Sequence, residues 1–217
     1  MNLPDEFIEK YTKLLGDEAE SFFESFDTEP QKGFRLNPLK SNYQNVALNL
    51  EHPVDYSAVG YVGSVSGNSL EHQTGYVYSQ DLSAMYVGEV CGPRPGEKIL
   101  DLCAAPGGKA MHALAKLHGK GSVQARDLTE NKVSMIEENI ERCAGAADTI
   151  EVLVWDARIL DPQAVEKADV VIADLPCSGL GVIGRKSDIK YRMTSEQVAD
   201  IAALQREILS VVWQYVK

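Results

Sequence analysis

Apolar positions recur at helical spacing near the start of the chain, where Ile8, Tyr11, Leu14 and Leu15 share one face behind Pro4. This spacing predicts a helix over residues 4–15, and a second helix is expected over 17–26. Gly33-Phe34-Arg35-Leu36-Asn37-Pro38-Leu39-Lys40 alternates apolar and polar side chains and predicts a strand over 33–40. Residues 51–75 are rich in Gly, Ser, Val and Tyr and read as short strands and turns. After residue 95 the pattern becomes regular, with strands predicted at 98–102, 122–126, 151–155 and 170–174 and helices near 108–118 and 129–144. Such β/α alternation builds a parallel sheet with helices on both faces. Thr194-Ser195-Glu196-Gln197 has the form of a capping box, and behind it Val198, Ile201, Leu204, Ile208, Leu209 and Val212 line one face of a last helix.

With 217 residues, 44% of them hydrophobic, the chain can bury a sizeable core. Its cysteines, at 91, 103, 143 and 177, form no C-x-x-C pair, and its four histidines have no ligand spacing, so neither a metal site nor a disulfide framework is expected. The N-terminus lacks a basic leader, and no apolar run reaches membrane-spanning length; a cytoplasmic protein without membrane partners is expected. A net charge of −11 argues against a general nucleic-acid binder. Locally, however, Arg185, Lys186, Lys190 and Arg192 cluster, with Arg35 and Lys40 available from the N-terminal part. Composition leaves open whether these are solvated surface charges or face RNA.

The chemistry concentrates in Asp101-Leu102-Cys103-Ala104-Ala105-Pro106-Gly107-Gly108-Lys109, which joins an apolar strand to a helix through a proline- and glycine-rich turn. Glycines without Cβ let a ligand approach the backbone, and amides at a helix start are free to bond it. This pattern predicts the first βα crevice of a nucleotide-binding α/β domain. Asp127 follows the second strand, where a ribose would offer its hydroxyls. Asp156 follows the third and is placed to accept from an adenine amino group; Asp174 ends the fourth. Each acid alone reads as a cap or a solvated carboxylate, whereas four of them at successive strand ends converge on one crevice. Asp174-Leu175-Pro176-Cys177-Ser178-Gly179 then sets a thiol just past a strand end. The plainer reading of Cys177 is a small buried hydrophobe, which the surrounding Pro176 and Gly179 disfavour.

Asp101 to Lys109 and Asp174 to Gly179 resemble motifs I and IV of the Sun-type (nucleolar protein/Sun) RNA cytosine-5 methyltransferases. The likeness extends to Arg35–Lys40, similar to that family's RNA-contact region, to Tyr78–Met85, and to Arg185–Tyr191 and Leu204–Leu209. The resemblance implies a Rossmann-like S-adenosylmethionine-dependent sheet over 76–217 with a small N-terminal α+β extension over 1–75. It implies that Cys103, Ala104, Ala105, Pro106, Gly107, Gly108, Lys109, Asp127, Asp156 and Asp174 hold S-adenosylmethionine. Asp174 and Lys109 would also face the cytosine ring, and Cys177 would assist product release. The implied partner is RNA, ribosomal RNA before transfer RNA, with Tyr191 or Tyr78 able to stack on an unstacked base. The family's attacking cysteine belongs to a later Thr-Cys motif, expected beyond Lys217, so the sheet is expected to be incomplete, with open apolar edges. Alternatives are a module that binds S-adenosylmethionine or RNA without turnover, attack by Cys177 itself, and a nicotinamide-dependent oxidoreductase, which the lack of G-x-G-x-x-G at the turn disfavours.

Overall fold

The computed structural model describes residues 3–145, 148–182, 189 and 193–217. The basic cluster Arg185, Lys186, Lys190 and Arg192, and Tyr191 with it, lie outside the described residues. Backbone contacts define two compact units, one comprising Lys32–Leu175 with Gln205–Lys217 and the other comprising Met1–Gln31 with Pro176–Leu204.

In the second of these, α1 (Asp5–Leu15) and α2 (Ala19–Glu24) pack through aromatic rings. Tyr11 lies 4.4 Å from Phe7 and 5.1 Å from Phe22 between centroids, and Phe22 meets Phe26 edge-on at 5.2 Å. The helix expected over 17–26 is shorter, because its last turns tighten. Ser25 Oγ donates to Phe22 O at 2.6 Å and Thr28 Oγ1 to Ser25 O at 2.7 Å, drawing carbonyls out of the α pattern.

The larger unit begins with an antiparallel sheet of β1 (Gly33–Leu36) and β2 (Gly60–Val62), completed after α3 (Leu70–Gln73) by β3 (Val77–Ser79), in the order β2-β1-β3. The strand predicted over 33–40 stops at Leu36, since Asn37 turns the chain: its Oδ1 accepts from Leu39 N–H at 3.1 Å and its carbonyl from Lys40 N–H at 3.1 Å. Every residue of β1 is buried, Arg35 included. Next comes α4 (Leu82–Cys91), unforeseen because its sequence is apolar nearly all round and shows no helical stripe.

The second sheet contains β4 (Lys98–Asp101), then α5 (Gly108–Lys116), β5 (Ser122–Asp127), α6 (Glu130–Ala144), β6 (Ile150–Val154) and β7 (Val170–Ile172). Its order is β6-β5-β4-β7 and every pairing is parallel, with Asp101 opposite both Ala125 and Ile172 and Asp127 opposite Val154. Ile99, Val123, Ala125 and Ile172 of the strands bury against Met111 and Leu114 of α5 and Ile136 and Ile140 of α6. Each large aliphatic side chain buried there contributes about 1.5–3 kcal/mol. Arg126 is buried as well, which its strand position does not announce. Its Nε donates to Gln124 Oε1 at 2.7 Å, its Nη2 to Asp161 Oδ2 at 2.6 Å, and its guanidinium lies 5.0 Å from the Trp155 ring centre.

The edge beyond β7, expected to be open, is partly taken up: Val216 bridges Ala168 in parallel and Lys217 N–H donates to Ala168 O at 3.0 Å. The last helix, α7 (Ser195–Val212), starts on the expected capping box. Gln197 N–H donates to Thr194 Oγ1 at 3.2 Å, and Thr194 N–H to Gln197 Oε1 at 3.0 Å. Its buried residues are Ile208, Val211 and Val212. Leu209, expected on that face, is half exposed; the 3–4 spacing from Ile208 passes through Val211 and Val212 and leaves Leu209 outside.

Candidate functional site

Because the four strands of the second sheet are parallel, their C-terminal tips share one edge, and all four expected carboxylates stand there. Asp101 ends β4 and Asp127 ends β5, while Asp156 and Asp174 follow β6 and β7 by two residues. The glycine-rich turn is bonded to this edge. Ala104 N–H donates to Arg126 O at 2.9 Å, Ala105 N–H to Asp127 Oδ2 at 3.0 Å, and Gly107 N–H to Ala104 O at 2.6 Å. Gly107 has φ 103°, a left-handed conformation that glycine adopts without the strain a Cβ would bring, and it turns the chain into α5 at this point.

A cavity of about 200 Å³ opens in front of the turn. Asp101, Cys103, Ala104, Ala105, Pro106, Gly108, Lys109 and Asp174 line it together with Tyr78, Ser79, Gln80, Asp81 and Ala84. Gly107, Asp127 and Asp156 do not line it. Lys109 Nζ lies 2.5 Å from Asp174 Oδ2, tying the first turn of α5 to the loop after β7. Asp101 is 1% exposed and neither carboxylate oxygen accepts a well-formed hydrogen bond among the described residues. Burial pushes its carboxyl up to about 7, with the Lys109 ammonium opposing the rise. Burial, then the carboxylates of Asp127 and Asp101, likewise push the Cys103 thiol up to about 11, so it stays protonated near neutral pH and is no nucleophile.

Asp127 is buried and holds the turn in shape, accepting from Ala105 N–H through Oδ2, and from Leu128 N–H at 2.8 Å and Lys132 Nζ at 3.0 Å through Oδ1. Asp156 is clamped by Arg158, whose Nη2 lies 2.6 Å from Oδ2; hydrogen bonds from that guanidinium hold its carboxyl below the usual range. Cys177 is exposed in the segment that follows Asp174, which removes the buried-hydrophobe reading.

Two sequence-based expectations are corrected. Arg35 is 2% exposed and donates from Nε to Gln80 Oε1 at 3.1 Å, so it is not offered to RNA. Tyr78 is buried too, with the guanidiniums of Arg142 and Arg35 at 5.6 and 5.9 Å from its ring centre, and its ring is not free to stack on a base. Both follow from the pairing of β1 with β3, which sets Arg35 opposite Tyr78. The sequence also left Gln80, Asp81 and Ala84 without a role at the cleft. The signal on offer was a short apolar strand ending in a polar run immediately before a helix.

A parallel α/β sheet with a glycine turn at its first crevice and an acid at each strand tip gives this chain the Rossmann-like fold of the S-adenosylmethionine-dependent methyltransferases. More narrowly, the chain belongs to the 16S rRNA methyltransferase RsmB/F family, whose model matches residues 89–217; residues 3–82 match the N-terminal domain of 16S rRNA methyltransferase RsmF. It is 29% identical over 231 residues to the probable ribosomal RNA small subunit methyltransferase B of a Synechocystis species, covering 100% of this chain and 51% of that protein. Ribosomal RNA small subunit methyltransferase B of Yersinia pseudotuberculosis is 36% identical over 190 residues, 84% of this chain and 43% of its own length. A solved methyltransferase homologue from Pyrococcus horikoshii superposes with a TM-score of 0.80 at 25% identity, over 97% of this chain and 69% of that one. The chain thus spans about half the length of the curated relatives it matches. Among the described residues, no helix is long and apolar enough to cross a membrane, and no group of three or more His, Cys, Asp or Glu is placed to hold a metal ion.

Proposed function

We propose that this chain forms the donor-binding part of an S-adenosylmethionine-dependent methyltransferase that modifies carbon 5 of cytosine in ribosomal RNA. One observation carries the reading: a cleft at the tips of a parallel sheet, in a chain of this family, holds a buried carboxylate, Asp101, whose oxygens accept no well-formed hydrogen bond among the described residues, beside an open helix start. The residues present fit the cofactor, since a cationic ligand group satisfies Asp101 and the N–H groups at the start of α5 without helical partners donate to an anionic one. Bound S-adenosylmethionine supplies a methyl group activated by its sulfonium.

In this reading Cys103–Lys109 hold the cofactor from below. Asp127 accepts from its ribose hydroxyls through lone pairs left beside Ala105 and Leu128, and Asp156 accepts from the adenine amino group while sharing its carboxylate with Arg158. Lys109 and Asp174, held together at the cleft, present a donor and an acceptor to the polar edge of a cytosine. Carbon 5 becomes nucleophilic enough only after a thiolate adds to carbon 6. Burial keeps Cys103 protonated and unsuited to this step; by resemblance the attack belongs to the cysteine of a Thr-Cys motif, and Cys177 assists release of the product.

Isothermal titration of the 217-residue protein with S-adenosylmethionine tests the reading. The protein is expected to bind, and Asp127→Ala to weaken binding roughly 10- to 100-fold through loss of a charged acceptor. A folded protein that takes up no heat-detectable ligand overturns it. A covalent adduct between Cys177 and 5-fluorocytidine RNA would instead make Cys177 the attacking group.

A further inference from the structure

The cleft wall opposite the glycine turn has no part in the mechanism above, yet it contains a polar side chain set in one orientation. Gln80 is 8% exposed. Its Oε1 accepts from Arg35 Nε at 3.1 Å, and a guanidinium has only donors, so this contact dictates which end of the carboxamide points away from Arg35. The amide nitrogen is therefore turned toward the glycine turn: Nε2 stands 3.4 Å from the position a Cβ on Gly108 would occupy. No hydrogen bond engages it among the described residues. Arg35 is itself buried and Arg142 flanks Tyr78 beside it, so the arrangement is rigidly backed.

A second set of donors faces the same space. The first helical hydrogen bond of α5 is Met111 N–H to Gly107 O at 2.8 Å, which leaves the amides of Gly108, Lys109 and Ala110 without helical partners. The orphaned acceptor Asp101 lines the same cavity. Donors and an unpaired acceptor in one small cavity match the carboxylate and ammonium of an α-amino acid group.

Resting on the cofactor reading above, we propose that Gln80 donates its carboxamide N–H to the α-carboxylate at the amino-acid end of S-adenosylmethionine, with Arg35 as the positioning residue. This contact discriminates the donor from adenosine thioethers that lack that end. Gly108 is required opposite Gln80, because a Cβ there would fill the approach and lie 3.0 Å from Tyr78 Cε1.

The test compares calorimetric affinities of the unsubstituted 217-residue protein and Gln80→Glu for S-adenosylmethionine and for 5′-methylthioadenosine, which has no amino-acid end. Glutamate keeps an oxygen for Arg35 and sets another where the N–H donors stood, so the fold is retained while the carboxylate is repelled. The expected result is a loss of roughly tenfold or more for S-adenosylmethionine and a change within about twofold for 5′-methylthioadenosine. Gln80→Met, which lacks both ends of the amide, is expected to show the same selective loss. Equal affinity for S-adenosylmethionine, or equal losses for both ligands, overturns the role of Gln80. Failure of the unsubstituted protein to bind either ligand overturns the cofactor reading, and this role with it.

Discussion

Replacing Asp101 with asparagine should change how stability depends on pH, in a direction fixed by the burial of that carboxyl. In the unfolded chain the group titrates near 3.8, and in the fold near 7, because burial disfavours the charged form by more than the Lys109 ammonium and the Cys103 amide favour it. Between those values the folded protein binds more protons than the unfolded chain, so this group's contribution is full below 3.8 and is lost as pH rises through about 7. The interval corresponds to roughly 4 kcal/mol, of which roughly 3 kcal/mol falls above pH 5. His112 acts with the opposite sign: burial, with the nearby Arg35 charge, holds it down to about 3, so its contribution is lost as pH falls from 6.5 through that value. In the unsubstituted protein the two trends mask each other between about pH 4 and 6.5. Urea unfolding of both proteins at several values between about pH 5 and 8 separates them. The stability of Asp101→Asn relative to the parent should rise with pH, by up to about 3 kcal/mol across that range. A difference that stays constant with pH would refute the assignment of a raised carboxyl to Asp101.

Two further substitutions probe packing and capping. A Cβ on Gly88 would fall on the His112 ring, so Gly88→Ala should destabilise by about 1–3 kcal/mol in denaturant unfolding, and an unchanged midpoint would show that α4 and α5 are less closely packed than described. Thr194→Ala removes the hydroxyl that accepts from Gln197 N–H and should cost about 1 kcal/mol; faster hydrogen exchange confined to the first turn of α7 is the accompanying sign, and unaltered exchange counts against the cap.

The parallel sheet was legible because strand and helix patterns alternate regularly after residue 95, and the predicted strands at 98–102, 122–126, 151–155 and 170–174 start and end within a residue or two of β4 to β7. The turn at Gly107 and the acids at the strand tips were legible for a related reason: in a parallel sheet, position along the strand alone assigns a residue to the ligand-facing edge. What escaped was set by tertiary partners. Arg35 was left open between a solvated charge and an RNA contact, and the burial of Arg126 was not foreseen, since nothing local reveals that Gln80, in one case, and Gln124 with Asp161, in the other, wait to receive them. α4 escaped because apolar residues stand on its exposed face as well, Tyr86 and Val90 among them, and leave no polar stripe for periodicity to detect. Leu209 lies off the buried face because Val211 and Val212 carry the seam onward from Ile208.

Asn37 has a reach that its place in the sequence conceals. Its Nδ2 donates to Gly75 O at 2.7 Å and to Cys143 O at 2.8 Å, and a Cβ on Gly75 would run into the Arg142 carbonyl, so three distant stretches meet at one amide. Evolution by exchange of gene segments between relatives is constrained accordingly. A crossover that imports a foreign N-terminal segment must bring a side chain able to close the carboxyl end of α6 as Asn37 does, or the hybrid begins life with an unsealed joint there.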